Sequence, residues 1–492
     1  MILAKIQKIR VQQVPGTHSH GTRLTDHRAI KLLININENQ RGPNYWKLNT
    51  SLLEDENYKA TIKDLIHRYN TKLEYEKLDV DLHTLWEQLK QEIRTISISY
   101  SKSLSKSFKQ TINELERKIQ DIEDKPANEI NMNEKKMLEN ELSQLYDKKS
   151  KGAQIRSRVK WIEEGERNTS YFLGLEKHYQ SLNVIRKVTE QTKSVYSDND
   201  ILKEICTFYE KLYQSKQINN NEINSYLSEL EIDRKLNEKE KFFCDEIPTL
   251  NECEEAVLNL KDNKSPGIDG IPNEFYKTFW NEMKNIFYSC LLYTFETGKM
   301  SFTQRLSILS LLHKKGERNK IRNYRPISLT NSDYKILAFV LARRLQKVIN
   351  NLIQEDQTAY IKGRFIGFSA RTILDIFEYC ENSNDPQILL FCDFEKAFDS
   401  VEWNFLFKTL EKFNFGENFM RWVKILYTDP IFRVKNNGWI SKTCKMNRGI
   451  RQGCPISALL FIFATEILAC NIRSNKDIDG NETRNKNNSA CR

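Results

Sequence analysis

Cysteine is missing upstream of Cys206, and the ten present form no CxxC pair and no zinc-finger spacing. That excludes a disulfide framework or a finger-type zinc site and leaves buried free thiols in a reducing compartment. Glycine is absent between Gly42 and Gly152, and Pro126 is the sole proline between Pro43 and that glycine. A stretch so poor in turn residues reads as long helices rather than a turn-dense β domain. Long apolar runs are also lacking: Leu459 to Cys470 is interrupted by Glu466 and is too short to span a bilayer. The opening MILAKIQKIR carries no secretory apolar region. The expected setting is intracellular, in cytoplasm and/or nucleus, with no membrane partner. Charge of one sign is not in strong excess. Lys plus Arg number 76 against 66 for Asp plus Glu, a net +10 over 492 residues, so local clusters matter more than the sum.

Val11 to Val14 and Ile30 to Ile36 read as strands, the end of a β-rich unit. Between them Asp26 and His27 are adjacent. They are either a turn before an ordinary strand or a pair in which a carboxylate orients an imidazole base. Farther on, Leu82, Leu85, Leu89, Ile93 and Ile96 recur at helical spacing, and Leu104, Phe108, Ile112, Leu115, Ile119 and Ile122 continue it. Pro126 separates this from a second helix using Leu138, Leu142 and Leu145. Long amphipathic or coiled helices with a solvated charged face are predicted. Lys148, Lys149, Lys151, Arg156, Arg158 and Lys160 then cluster without an acid. Such a cluster suits a phosphate backbone, and equally a solvated helix. Residues 190 to 245 are polar, with helical pieces at Ile201 to Tyr213 and Ile223 to Leu236, and read as a connector.

The texture changes at NKSPGIDGIPNEFYKTFW, Asn263 to Trp280, a Gly/Pro loop feeding a helix. LSILSLLHKKG reads as a strand ending in a turn, and Arg325 before Pro326 must be extended. Lys314, Lys315, Arg318, Lys320, Arg322 and Arg325 are opposed only by Glu317. Ammonium and guanidinium groups of this kind suit a triphosphate; a generic basic loop is the competing reading. In FCDFEKAFDSV, Phe391 to Val401, an apolar entry reads as a buried strand ending at Asp393, and Ala397 to Asp399 as the start of a helix. A carboxylate there is costly unless compensated, so Asp393 is either a divalent-metal ligand or an N-cap aspartate. Ile431 to Arg451 contains Arg433, Lys435, Lys442, Lys445, Arg448 and Arg451 without an acid. It runs into RGIRQGCPIS, where Gly449 and Gly453 permit close backbone approach and Gln452 supplies an amide.

In this order NKSPGIDGIPNEFY, LHKKG, NYRPISLT, DQTAYIKGR, FCDFEKAFDSV and RGIRQGCPIS resemble the fingers and palm of LINE-type (non-LTR) retrotransposon reverse transcriptases, over about residues 250 to 472. Upstream, RSRVKWIEEGERNTSYFLGLEK resembles the segment that precedes the polymerase in those proteins and contacts template RNA. LTDHRAIKLLINI with GPNYWKLNTSLL resembles the tail of their apurinic/apyrimidinic-type endonuclease, in which the matching Asp26 and His27 are catalytic. The fold implied is α+β: a β-strand remnant of an endonuclease sandwich at 1–40, a long helical, basic linker region at 41–180 and a connector at 181–248. Right-hand polymerase fingers and a partial palm follow at 249–472, then a polar tail at 473–492. The resemblance makes Asp393 the first Mg²⁺-binding and catalytic aspartate, with the Phe394 backbone carbonyl as a second ligand. Lys314 and Arg325 match the triphosphate contacts, and Gln452 the glutamine at the nascent base pair. Phe398 matches the aromatic that excludes a nucleotide 2′-hydroxyl, which disfavours RNA synthesis. The implied partners are an RNA template, a DNA primer and dNTPs, in an oligomeric state the sequence leaves open. The basic cluster at 148–160, with Arg448 and Arg451, would bind nucleic acid.

The sequence departs from that family in one place. Its next palm motif ends in paired aspartates that complete a two-metal site. No Ala-Asp-Asp occurs here, and Asp477 and Asp479 are two apart in the polar tail. A thumb is absent too. The expectations are therefore a fragment of a retrotransposon polyprotein cut at both ends, inactive alone, with an unpaired strand edge and an uncovered apolar face beside Asp393. A non-catalytic RNA- or DNA-binding protein is the alternative, and a helical scaffold built on residues 50 to 150 is a third reading.

Overall fold

The computed structural model describes residues 9–14, 29–34, 41–75, 81–124, 131–157, 184–190, 193–383, 388 and 390–475. The chain divides into two compact units at Asn44. In the first, β1 (Ile9–Val14) and β2 (Ala29–Ile34) form an antiparallel hairpin, Ile9 opposite Ile34. Both strands lie where the Val- and Ile-rich runs place them. Asp26 and His27 lie outside the described residues.

The second unit opens with α1 (Glu56–Tyr75), which buries Tyr58, Ile62, Leu65, Ile66 and Tyr69 on one face. The two apolar stretches that follow are one continuous helix of 42 residues, α2 (Leu82–Glu123), N-capped by Asp81, whose side chain accepts the His83 N–H. Leu85, Trp86, Leu89 and Ile93 are buried, whereas Leu104 is exposed, so the apolar face lapses at mid-helix. Ile112, Leu115 and Ile122 restore it near α3 (Met132–Ser157), where the Tyr146 hydroxyl donates to Glu116. Next come the short strands β3 (Val188–Glu190) and β4 (Lys193–Val195), then α4 (Asp198–Leu212), α5 (Asn220–Glu229), α6 (Glu238–Asp245) and α7 (Leu250–Asn259). The helices α8 (Asn273–Thr297) and α9 (Phe302–Arg305) follow.

One hydrophobic core joins α1, the first half of α2 and α8 to α10 (Ser332–Leu352). Trp86 meets Phe287 edge-on at 5.7 Å, and its indole N–H donates to the buried Asp333 at 2.8 Å. Between α7 and α10, Arg344 grips Glu252 bidentately at 2.8 and 2.6 Å. A boundary drawn at 248 therefore does not separate two cores.

The main sheet has the order β6–β5–β7–β8, with β9 also on β7. The predicted strand and its turn are β5 (Leu306–His313), paired antiparallel to β6 (Tyr324–Leu329) with Leu312 opposite Arg325. Pro326 lacks an N–H and is tolerated because β6 is an edge strand. On its other side β5 runs parallel to β7 (Ile431–Asn436), which pairs antiparallel with β8 (Trp439–Ile440) and β9 (Cys444–Lys445). The connector is not a spacer. Ile201, Ile205 and Tyr209 of α4 pack on Leu309, Phe432 and Val434 and form the sheet's own core.

The strand expected to end at Asp393 is not formed. Ile388, Leu390 and Phe391 stand 96, 79 and 71% exposed without strand structure. A strand exists only through a neighbour's hydrogen bonds, and among the described residues this segment has none. Large apolar side chains are also exposed at Phe365 and, within α11 (Gly367–Ser383), at Phe368, Leu374 and Phe377. Beyond it a 3₁₀ turn at Ala397–Ser400 replaces the expected helix start, and α12 (Trp403–Lys412) and α13 (Glu417–Leu426) follow. The last helix among the described residues, α14 (Ser457–Ser474), is 18 residues long and by length and composition long and apolar enough to cross a membrane, which corrects the shorter span expected. Here Leu460, Phe463 and Ile467 are core, and its buried Glu466 pairs with Arg473.

Candidate nucleotide and nucleic-acid site

Two short loops far apart in sequence are strapped together. Within the turn after Lys396, the Phe398 carbonyl accepts the Ile450 N–H at 2.8 Å and the Val401 carbonyl accepts the Gly449 N–H at 2.7 Å. The Trp403 indole N–H donates to the Gly449 carbonyl at 2.8 Å. Gly449 has φ +87°, and a Cβ there would stand 2.8 Å from the Asp399 carbonyl oxygen. Glycine is required twice over, for its backbone and for its missing side chain. On the opposite side Ser328 of β6 donates its N–H to the Gln452 carbonyl at 2.8 Å. The loop is thus clamped between the Phe398 turn and β6. Gly449→Ala is expected to cost roughly 1–3 kcal/mol more than Gly298→Ala, because it adds overpacking to a similar backbone strain. Gly298 has φ +70° but nothing within 4 Å of the added Cβ. Chemical denaturation of the two variants checks this.

The buried carboxylate at this junction is Asp399, not Asp393. It is 1% exposed and accepts the Tyr213 hydroxyl at 3.0 Å and the Gln452 amide Nε2–H at 3.2 Å. Burial pushes the Asp399 carboxyl up to about 6, against the opposing pull of the Tyr213 hydroxyl and the Lys396 ammonium. Tyr213, at the end of α4, is itself held well above the usual tyrosine range by burial and by Asp399. Sequence reasoning missed both. An Asp in an AFDSV turn has a local signal only as a cap, and Tyr213 reads as one more apolar residue on a helix face.

Asp393 is exposed, and the cost of burial that argued for a cation does not apply to it. Among the described residues no three His, Cys, Asp or Glu side chains gather to hold a metal ion. One carboxylate beside the Phe394 carbonyl does not fit a two-metal centre, which needs several anionic oxygens around both ions. Phe398 stacks on Phe461 at 4.9 Å with the planes 13° apart, and Phe394 meets the same ring edge-on at 6.2 Å. Phe394 and Phe461 border an apolar cavity of about 430 Å³ shared with Ile223, Tyr226 and Phe405.

The basic segment is the β5–β6 hairpin. Lys314, Lys315, Arg322 and Arg325 are exposed on it, while Lys320 is paired with Glu317 at 3.0 Å. Lys396 staples the hairpin to the Asp399 turn by donating to the carbonyls of Arg322 and Tyr324 at 3.0 and 3.1 Å. Lys314, Arg325, Phe398 and Gln452 are therefore brought to one region, through Lys396 on one side and Asp399 on the other.

Arg448 and Arg451 are corrections. Arg448 is buried, donating to the Leu212 carbonyl at 2.9 Å and to Glu402 at 3.3 Å. Arg451 is 2% exposed, its guanidinium 4.8 Å from the Tyr334 ring centre and its Nη2 donating to the Arg305 carbonyl at 2.6 Å. Neither is offered to a nucleic acid, because both are buried: Arg448 bridges α4 and the start of α12, and Arg451 lies against α10 with Nε and Nη1 unpartnered among the described residues. Lys148, Lys149, Lys151 and Arg156 lie in the last turns of α3, where only the backbone is described, and Arg158 and Lys160 lie outside the described residues.

Residues 312–486 match the reverse transcriptase (RNA-dependent DNA polymerase) family. Asp393, Asp399, Gln452 and the basic residues Lys314 to Arg325 of the hairpin fall inside that match, and Tyr213 outside it. That match covers about a third of the chain. Its relatives are retrotransposon proteins. The chain is 28% identical over 453 residues to the Transposon TX1 uncharacterized 149 kDa protein of Xenopus laevis, covering 91% of this chain and 34% of that protein. It is 26% identical over 212 residues to the Pol polyprotein of the type-1 element R1 of Bradysia coprophila, covering 42% of this chain and 20% of the relative. With the Pol polyprotein of the type-1 element R2 of Popillia japonica the identity is 25% over 174 residues, 35% of this chain and 24% of the relative. The chain thus spans about a third of the Xenopus protein and less of the other two.

Proposed function

We propose that the chain is the fingers and partial palm of a LINE-type RNA-directed DNA polymerase, joined to a helical, basic region that helps hold template RNA. Its substrates on this reading are an RNA template, a DNA primer and dNTPs, and Mg²⁺ would supply the phosphoryl-transfer chemistry. The β1–β2 hairpin, with Asp26 and His27 between its strands, is read as part of the adjoining endonuclease. Phe398 is assigned the exclusion of a 2′-hydroxyl, and Lys314 with Arg325 the triphosphate.

The observation that carries the reading is the strap between the Phe398 turn and the Gln452 loop, with the basic hairpin stapled beside it by Lys396. The nucleotide-holding half of the site is preorganised. The metal-holding half has one exposed carboxylate among the described residues, so this 492-residue polypeptide is expected to bind without extending. Dissociation of a labelled RNA–DNA primer–template tests it: the dNTP complementary to the next template base should slow release and a mismatched one should not. Dissociation indifferent to any dNTP would favour the second reading, a non-catalytic nucleic-acid-binding protein.

A further inference from the structure

We infer that Asp399, held by Tyr213, is a positioning residue that decides which end of the Gln452 side-chain amide faces the nucleotide. The word nucleotide rests on the function proposed above; the coupling of the three side chains does not.

An amide presents an acceptor at one end and donors at the other, and the two ends are nearly the same in shape. Gln452 has its backbone clamped, with Ser328 donating to its carbonyl and Gly453 following at φ +103°. Its one described side-chain hydrogen bond is the donation from Nε2 to Asp399 at 3.2 Å. An ionised carboxylate only accepts, so it must draw the nitrogen end inward. The oxygen end, which has no partner among the described residues, is left facing out. Tyr213 donates to the other Asp399 oxygen at 3.0 Å and stops the carboxylate from rotating away. A neutral side chain here removes the bias, and so does a protonated Asp399, since its O–H donates and accepts the amide turned the other way. The groups facing Asp399 are Tyr209 and Tyr213 from α4 and Lys396 from its own turn, with Arg451 behind Tyr213. Burial that lifts Asp399 to about 6 places this exchange within reach of a mild pH change. Tyr213 lies outside residues 312–486, so α4 would be part of the working site rather than a tether.

The test uses the full chain labelled with [¹⁵N]glutamine, the Gln452 side-chain signals being identified by their loss in Gln452→Met. Asp399→Asn and Tyr213→Phe should move those signals and leave the other glutamine amides in place. Between about pH 8 and about pH 5 they should titrate in the wild type and not in Asp399→Asn, since only the carboxyl ionises there. Asp399→Asn should also weaken the slowing of primer–template release by the matched dNTP roughly fivefold, one hydrogen bond's worth. Gln452 signals indifferent to both substitutions and to pH overturn the inference. Signals that respond while Gln452→Met leaves the dNTP effect intact uphold the coupling and overturn the nucleotide-site reading instead.

Discussion

Replacing Lys90 by methionine is expected to remove about 3–5 kcal/mol of folding stability, the cost of stranding a buried charge. Lys90 is 3% exposed and donates to Asp333 at 3.0 Å, Glu87 at 3.2 Å and Thr303 at 2.5 Å. Burial opposes its charge, but Asp333, Glu87 and Asp269 outweigh that and hold the ammonium well above the ordinary lysine range. Methionine keeps the aliphatic bulk and removes only the charge, so Asp333 and Asp269 remain buried without a counter-ion. The effect carries a pH sign. Burial already lifts Asp269 to about 7 from 3.8, against the pull of Lys90 and with Asp333 adding to it. The folded chain therefore keeps a proton that the unfolded chain has lost, and this contribution to stability falls as pH rises from about 4 to about 7. Without Lys90 the Asp269 carboxyl rises further, so the loss should be larger at pH 8 than at pH 5. Urea denaturation at the two pH values checks it, and Asp333→Asn added to Lys90→Met should restore much of the loss. Equal losses at both pH values would mean that removing Lys90 leaves the protonation of the cluster unchanged.

Neutralising the hairpin should have the largest effect on binding. With Lys314, Lys315, Arg322 and Arg325 all changed to serine, the slope of log affinity against log salt should flatten by roughly 2–4, at close to one unit per lost phosphate contact. Affinity for an RNA–DNA primer–template at moderate salt should fall by about 10²–10³-fold on the same relation. Fluorescence anisotropy over a salt series measures both. The four side chains are exposed, so stability should hardly change, which separates this result from unfolding. An unchanged slope would place the nucleic acid elsewhere, with the cluster at 148–160 as the next region to neutralise.

What could be read in the sequence was what depends on neighbours in the chain. The strands at 9–14, 29–34, 306–313 and 324–329 follow β-branched runs closed by turn residues, and the glycine-free stretch is helical as expected over its described residues 56–75, 82–123 and 132–151. The unbroken course of α2 was hidden because its apolar pattern lapses at Leu104 while its helix propensity does not. The segment before Asp393 has the composition of a strand, yet a strand is a property of two segments and its neighbour is not among the described residues. Arg448 and Arg451 belong to a basic run that reads as surface, and are buried by carbonyls and rings distant in the chain. Asp399 and Tyr213 are separated by 186 positions, and no local pattern announces a bond across that distance. The acid that the structure buries, Asp399, stands six residues beyond the one the motif singles out.

On the function proposed, a nucleotide-holding half is assembled here, and among the described residues no metal-holding half accompanies it. Primer extension by the purified chain on an RNA template, with Mg²⁺ and all four dNTPs, tests it most directly. The expected result is retention of the primer–template, slowed further by the matching dNTP, with no primer lengthened. Template-directed products that disappear in Asp393→Asn would contradict it, because they would require a working metal site around that aspartate.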